Sequence, residues 1–167
     1  MNSGNSSPIA FIALGSNLEN PRQQVQRGFD ELASLRGSRL LASSSLYLSG
    51  PVGCTNQPDF VNAVAKLETT LSAHELLNAL LAIELNHGRE RNHPNAPRTL
   101  DLDLLLYNGL QHHEPGLTIP HPRMHTRAFV LLPLIELDPD CEIPGQGRAK
   151  DWVAQVMGQH IEKLITP

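Results

Sequence analysis

The sequence predicts an α+β sandwich in which helices pack on one face of a mainly antiparallel sheet. Residues 60–67 (FVNAVAKL) alternate as in a half-buried strand, which puts Phe60 and Asn62 on the same face. Ser72 begins a Ser-x-x-Glu capping box that leads into leucines at helical spacing, and residues 99–107 (TLDLDLLLY) have the strongest strand pattern of the chain. The order strand, helix, strand, strand, helix, strand, then helices, is typical of the split βαβ or ferredoxin-like sandwich. The other sheet face should then be open to a ligand.

The N-terminal elements are predicted from a short apolar run and a helical repeat. Residues 9–14 are predicted to form a buried strand that ends at the turn Gly15-Ser16-Asn17. Apolar residues then recur at helical spacing up to Gly37, and residues 39–48 are predicted to be the second strand.

The C-terminal half begins with the helix that follows Ser72, which should end near Gly88. Residues 89–97 are rich in Pro, Asn and Arg and predict a mobile surface loop. We expect residues 1–167 to form a single domain, with residues 1–7 disordered, because no repeat or linker is evident. The remaining predicted elements are a helix over residues 128–137, a short helix over 152–157 and a terminal segment over 161–165.

Composition and charge exclude several classes of partner. Hydrophobic residues make up 40% of the chain and charged residues 18%, which is ordinary for a globular protein. The net charge of -4 argues against nucleic acid or an acidic membrane as the partner, because phosphate backbones need a basic excess. Neither a signal peptide nor a membrane span is evident, so we expect a cytoplasmic protein with small-molecule partners. Cys54 and Cys141 lack metal-binding or disulfide spacing and are interpreted as incidental.

Asp101 and Asp103 are the first candidate functional residues. Their alternation with leucines puts both carboxylates on one strand face, about 7 Å apart. Mg²⁺ would neutralise such a pair, because it binds one or two carboxylates together with phosphate oxygens. The alternative is an ordinary solvated strand face.

Arginines close to this pair in the sequence favour a phosphate ligand. Arg89, Arg91 and Arg98 lie within twelve residues of Asp101, on or beside the loop 89–97, and this loop could close over ATP. A surface salt-bridge cluster is the alternative. His121, which precedes Pro122, is interpreted either as a nucleotide contact or as a surface residue, and His112-His113 as solvated turn residues.

Six segments together resemble one known family. They are IALGSNL, SSLY, NQPDFVNAV, IELNHGRER, APRTLDLDLLLY and LTIPHPRM. Their order and spacing resemble the 6-hydroxymethyl-7,8-dihydropterin pyrophosphokinases of folate biosynthesis, from about Ile9 to the C-terminus. The resemblance implies transfer of the β,γ-pyrophosphoryl group of ATP to the hydroxymethyl group of 6-hydroxymethyl-7,8-dihydropterin, with release of AMP.

The resemblance also implies roles for individual residues. Asp101 and Asp103 would bind two Mg²⁺ ions that bridge the triphosphate, and Arg89 and Arg98 would contact phosphates and assist transfer. The implied nucleotide contacts are Glu84, Leu104, Thr118, His121 and Arg127. The implied pterin contacts are Asn17, Ser49, Val52, Phe60, Asn62 and Phe129, with the pterin between the two phenylalanine rings.

The chain departs from the family pattern at four places, and two other functions stay open. No Trp lies near the tip of the arginine-rich loop, Pro122 and Gly116 replace an aromatic residue and an Arg found in some members, and Phe60 replaces Tyr. The alternatives are a Mg²⁺-dependent nucleotidyltransferase and a non-catalytic sensor of pterin or nucleotide with the same fold. A monomer is expected.

Overall fold

The computed structural model describes residues 7–18, 20–50, 59–87 and 99–164. The described residues include two short 3₁₀ helices, at Met124–Thr126 and Ala149–Trp152. The helices are α1 (Pro21–Ala33), α2 (Ala73–Asn86), α3 (Ala128–Leu137) and α4 (Val153–Val156). The strands are β1 (Ile9–Ser16), β2 (Ser38–Ser43), β3 (Tyr47–Ser49), β4 (Phe60–Thr69), β5 (Asp101–Tyr107), β6 (His112–Glu114), β7 (Leu117–Ile119), β8 (Glu142–Ile143), β9 (Gly147–Arg148) and β10 (Ile161–Lys163).

The main sheet has the order β10-β3-β4-β1-β5, and β2 also pairs with β4. Every pairing within this described sheet is antiparallel, so the predicted ferredoxin-like α+β sandwich is confirmed. The strand predicted over residues 39–48 is in fact two strands, because the chain leaves the β4 ladder after Ser43. Ser44 bridges the interruption: its backbone N–H donates to the Val64 carbonyl at 2.9 Å, and its Oγ accepts from the Val64 N–H at 2.8 Å.

Two hydrophobic clusters cover the two faces of the sheet. Helices α1 and α2 pack on one face, where Ile12, Leu67 and Leu102 are buried. Helix α3 packs on part of the other face, against Phe11 and Val64. The sequence did not reveal this second layer, because α3 is apolar on most of its surface and its pattern does not show which sheet face it will cover. The face that was expected to be open is therefore partly covered.

Helix α2 is tied to strand β5 at both of its ends. The predicted capping box is present: Ser72 Oγ accepts from the Glu75 N–H at 3.1 Å, and Glu75 Oε1 accepts from the Ser72 N–H at 2.8 Å. Just before the helix, the Leu71 carbonyl accepts a 2.6 Å hydrogen bond from the Tyr107 hydroxyl, at the C-terminal end of β5. Helix α2 thus starts at the C-terminal end of β5 and runs back toward its N-terminal end.

The hairpin β6-β7 was not predicted, and His112 and His113 lie in a strand rather than in a turn. Three-residue polar strands have no periodicity strong enough to recognise in a sequence. The helix predicted over residues 128–137 coincides with α3. None of the helices in the described ranges combines the length and the apolar composition that a membrane crossing needs.

Candidate active site

Four residues form a row across the sheet at the N-terminal end of β5. Asp101 pairs with Gly15, Gly15 pairs with Asn62, and Asn62 pairs with Tyr47. Directly opposite residues in antiparallel strands point to the same side of the sheet. The carboxylate of Asp101 and the amide of Asn62 therefore share a face, about 10 Å apart because two strand spacings separate them.

Gly15 leaves space in the middle of this row. A Cβ at this position would lie 3.0 Å from Asn62 Nδ2, closer than most side-chain contacts. The Asn62 amide is also fixed from the other side, because the Ser49 hydroxyl donates a 2.6 Å hydrogen bond to Asn62 Oδ1. Both Ser49 and Asn62 are buried, so the amide is held in one orientation.

The alternation predicted for β5 is observed. Asp103 is exposed and Asp101 half-buried, whereas Leu102 between them and Leu104 after them are buried in the core under α1 and α2. The next row of the ladder places Asp103 opposite Ala13, so only small side chains of β1 lie beside the two carboxylates. The two carboxylates thus lie on the sheet face opposite α1 and α2, next to Ala13 and Gly15 of β1.

A cluster of cationic and imidazole groups lies next to Asp103. The His121 backbone N–H donates to the Leu105 carbonyl at 2.9 Å, which holds the His121 segment beside β5, the last strand in the described sheet order. Burial lowers the pKa of His121 below its ordinary value, Asp103 opposes this shift, and the charges of Arg127 and Arg123 add to it. The imidazole is therefore neutral near pH 7. Its Nδ1 accepts from the Arg123 N–H at 3.2 Å, which leaves Nε2 as the hydrogen-bond donor.

Arg127 is the N-cap residue of α3 and faces both Asp103 and Phe129. Burial lowers the pKa of Arg127, and Arg123 acts in the same direction, while Asp103 raises it. A guanidinium stays charged despite such shifts. Its Cζ lies 5.5 Å from the centroid of the Phe129 ring, within the range of a cation–π contact.

A pocket of about 490 Å³ adjoins this cluster. Ser49, Arg127 and Phe129, which were predicted from the sequence, line it together. A cavity with an aromatic side, buried polar groups and cations suits a small heteroaromatic or anionic ligand. Among the other lining residues, Arg123, Gln159 and His160 were not predicted.

Tertiary contacts bring these unpredicted residues to the pocket. Gln159 Oε1 accepts from the Ala128 N–H and its Nε2 donates to the Thr126 carbonyl, both at 2.9 Å, so Gln159 fixes the start of α3. Nothing in the short polar stretch around Gln159 indicates this contact. Of the three residues, Arg123 is the one that the sequence could have indicated, because it is a cation two residues after His121 in the motif LTIPHPRM.

Glu136 anchors the other end of α3 to the sheet. The Tyr47 hydroxyl donates to Glu136 Oε1 at 2.7 Å, and the Ser45 N–H and hydroxyl donate to Oε2 at 2.9 and 3.0 Å. Burial acts to raise the pKa of Glu136, but these hydrogen bonds outweigh it and lower the pKa below its ordinary value. Phe129 is therefore held over the sheet by contacts at both ends of its helix.

Other predicted site residues are not among those that line the pocket. Glu84 is buried near the end of α2, and its Oε2 accepts a 2.7 Å hydrogen bond from the Leu102 N–H. Thr118 is on β7, opposite His113, and the Leu104 side chain points into the core. Asn17 follows β1 and is buried, and Phe60 begins β4 opposite Ser49. Outside the described residues lie Val52, Cys54, Arg89, Arg91 and Arg98, with the predicted loop 89–97 and residues 1–6.

Comparison with known proteins decides the family. Residues 11–139 match the family described as 7,8-dihydro-6-hydroxymethylpterin-pyrophosphokinase. The chain belongs to this family. A 2-amino-4-hydroxy-6-hydroxymethyldihydropteridine pyrophosphokinase of Pseudomonas aeruginosa is 46% identical over 154 residues, covering 92% of this chain and 95% of the relative. A pyrophosphokinase with the same description from Haemophilus influenzae is 43% identical, covering 93% and 97%.

Solved structures agree with this family in fold. A Plasmodium falciparum HPPK-DHPS chain superposes with a TM-score of 0.73 at 13% identity, covering 94% of this chain. This chain spans 44% of the length of that fused protein. The likeness in structure supports the fold alone.

The family membership confirms the predicted activity. The chain is an ATP-dependent diphosphotransferase of folate biosynthesis, which transfers a pyrophosphoryl group from ATP to hydroxymethyldihydropterin. ATP is the co-substrate, and both substrates are small molecules.

Proposed function

We propose that pyrophosphoryl transfer occurs at the N-terminal end of β5, with Asp101 and Asp103 as the ligands of two Mg²⁺ ions. The observation that carries this proposal is the arrangement of the two carboxylates on one sheet face, in line with Asn62 across Gly15 and beside Arg127. One end of the sheet thus combines groups suited to metal, phosphate and pterin.

The donor set of the carboxylate pair fits Mg²⁺, which prefers oxygen ligands and keeps several waters. Asp103 is exposed and can receive a hydrated cation, and Asp101 is only half-buried. Bound Mg²⁺ would neutralise triphosphate charge and stabilise the charge that develops during transfer.

Around the triphosphate, cations and neutral donors of the chain would bind the nucleotide. Arg127 offers a forked guanidinium, and neutral His121 offers Nε2–H to a phosphate oxygen. Arg89 and Arg98 would contact phosphates and assist transfer. Glu84, Leu104 and Thr118 would belong to the nucleotide side, where Glu84 orients the backbone of Leu102 between the two carboxylates.

The pterin would bind between Phe60 and Phe129. Flat stacking with a few fixed polar groups is the usual way to hold a small heteroaromatic. Asn62 is pre-oriented by Ser49, so its amide can discriminate between donor and acceptor edges of the ring. Asn17 and Val52 would complete the contacts.

In the proposed reaction, the hydroxymethyl oxygen of the pterin attacks the β-phosphorus of ATP in line, and AMP leaves as the α–β bridging bond breaks. The hydroxyl proton passes to solvent, and no side chain is required as a general base. The protein would act by holding both substrates in position and by placing Arg127 near the charge that spreads over the phosphoryl oxygens.

The deciding experiment identifies the products. With adenine-labelled ATP and 6-hydroxymethyl-7,8-dihydropterin, we expect labelled AMP and pterin diphosphate in equal amounts, and only with a divalent cation. Release of free pyrophosphate would support a nucleotidyltransferase. Binding of the pterin without consumption of ATP would support a sensor. Asp101→Asn and Asp103→Asn should abolish most turnover, whereas Asp140→Asn, a matched change at an exposed carboxylate, should not.

We further propose that the chain acts as a monomer in the cytoplasm, where its substrates and the folate pathway are expected. Sedimentation of the full chain at several concentrations tests the monomer: a single species with the mass of one chain is expected, and a dimer contradicts it.

A further inference from the structure

Three potential metal ligands meet at the other end of β5. His74, His112 and Glu114 each offer one ligand atom, and these atoms lie within 4.8 Å of one another. His74 Nε2 is 3.1 Å from Glu114 Oε1, and His112 Nε2 hydrogen-bonds the same oxygen. The two imidazole rings meet edge to face with their centroids 5.9 Å apart. Two ring nitrogens and a carboxylate oxygen thus converge from distant parts of the chain.

The main chain on both sides of this cluster is well anchored. His74 is the second residue of α2, inside the turn that the Ser72–Glu75 capping box fixes. His112 and Glu114 are two residues apart on β6, so their side chains share one face of the strand. The Tyr107 hydroxyl bond to the Leu71 carbonyl holds the start of α2 against the end of β5, five residues before His112.

Hydrophobic packing holds the hairpin itself in place. Leu117 and Ile119 of β7 are buried in the same cluster as Leu76 and Leu80 of α2. Strand β6 pairs with β7 in register, His112 opposite Ile119 and Glu114 opposite Leu117. The backbones that carry the three ligands are therefore positioned before any ion binds, which lowers the entropy cost of binding.

We propose that His74, His112 and Glu114 bind a transition-metal dication such as Zn²⁺, at a site separate from Asp101 and Asp103. Ligands about 2.0–2.2 Å from a tetrahedral Zn²⁺ are about 3.4 Å apart, so small side-chain rotations from the present positions suffice. Two imidazoles and one carboxylate, with a fourth position for water, form a known type of zinc donor set. The anionic Glu114 also offsets the positive end of the α2 dipole.

Donor chemistry separates this site from the carboxylate pair. Imidazole nitrogens favour Zn²⁺, Co²⁺, Ni²⁺ or Cu²⁺, whereas Mg²⁺ prefers oxygen ligands. The strand from Asp101 to Tyr107 spans about 20 Å, so an ion at His112 is remote from one at Asp101. The structural alternative is a His-Glu-His hydrogen-bond network that binds no ion.

The test is a calorimetric titration of the full chain with Zn²⁺, without nucleotide and in millimolar Mg²⁺ to compete at the carboxylate pair. We expect one Zn²⁺ per chain, and a Co²⁺ titration should give the intense visible absorption of a tetrahedral ion. The variants His74→Ala, His112→Ala and Glu114→Gln should each weaken Zn²⁺ binding at least tenfold. Glu114→Gln keeps a hydrogen-bond acceptor for the histidines, so it separates metal binding from the network.

His113→Ala is the matched control, since His113 is exposed on the opposite face of β6. This variant should bind Zn²⁺ as the wild type does. Pterin turnover with Mg²⁺ should be unchanged in all four variants, which shows that they are folded. The proposal is overturned if the wild type binds no Zn²⁺, or if the three ligand variants bind it as tightly as His113→Ala.

Discussion

The two ends of strand β5 carry different sets of potential metal ligands, and the two sets are brought together in different ways. At the N-terminal end, Asp101 and Asp103 offer only oxygen ligands, beside the charge of Arg127. Beyond the C-terminal end, His74 and His112 offer nitrogen ligands beside Glu114. The first set suits a hard cation with a polyphosphate, and the second suits a transition metal.

This contrast indicates how far a functional site can be inferred from local spacing. The two aspartates are two residues apart, and strand alternation alone puts them together. His74 and Glu114 are forty residues apart, and they meet because α2 packs along β5 and the hairpin folds onto α2. Before that packing is known, His112 and His113 cannot be distinguished from turn residues.

The most direct test of whether the two ends are independent is to mutate one ligand at each end. Asp103→Asn should lower kcat by about 10²-fold or more, because it removes a charge that would hold the metal at the transferring group. The same variant should leave Zn²⁺ affinity unchanged, and Glu114→Gln should do the reverse. For each of the two variants, steady-state kinetics measures kcat and calorimetry measures the Zn²⁺ affinity. If either substitution changes both properties, the two ends are not independent.

A second substitution tests how the carboxylate end is held. Glu84→Ala leaves the buried Leu102 N–H without its acceptor, so the free energy of unfolding should fall by about 1–3 kcal/mol in urea denaturation. Turnover should fall as well, because Leu102 lies between the two aspartates. Glu84→Gln retains an acceptor oxygen and serves as the control. Equal stability of the two variants would show that this hydrogen bond does not hold the strand.

Tyr107→Phe tests the anchor at the opposite end. Loss of its hydrogen bond to the Leu71 carbonyl should cost about 1 kcal/mol of stability and weaken Zn²⁺ binding a few-fold, with turnover unchanged. Tyr47→Phe is the matched control, because it removes a hydroxyl that bonds Glu136 on the active-site side. The assignment of the two anchors would be contradicted if Tyr47→Phe weakened Zn²⁺ binding and Tyr107→Phe did not.

The smallest expected effect concerns Glu136 and pH. The pKa of Glu136 in the folded chain is lower than its ordinary value of 4.5. The ionised carboxylate therefore stabilises the fold at pH values above 4.5, and this stabilisation is lost as the pH falls through the folded pKa. Glu136→Gln should therefore be less stable than the wild type near neutral pH, and the difference should shrink as the pH falls below 4.5. Urea denaturation across this range measures it, and a gap that widens in acid would refute the explanation.

Much of the fold was predicted because its signals are local. The Ser72 capping box, the apolar run of α3 and the alternation of β4 each depend on neighbours within a few residues. The break after Ser43 and the hairpin β6-β7 were missed, since the end of a strand within a ladder and a three-residue strand both depend on the partner strand. The roles proposed for Arg89, Arg98 and Val52 stay predictions.

Local sequence patterns were sufficient to predict the carboxylate pair, the strand that carries it and the family to which the chain belongs. The folded chain was needed to see that α3 covers the second sheet face, that Gln159 and Arg123 adjoin the pocket, and that His74 meets His112 and Glu114. These two groups of features differ in the range of the interactions that produce them. Backbone periodicity acts over a few residues, whereas the burial of apolar surface brings together side chains from segments that are remote in the chain.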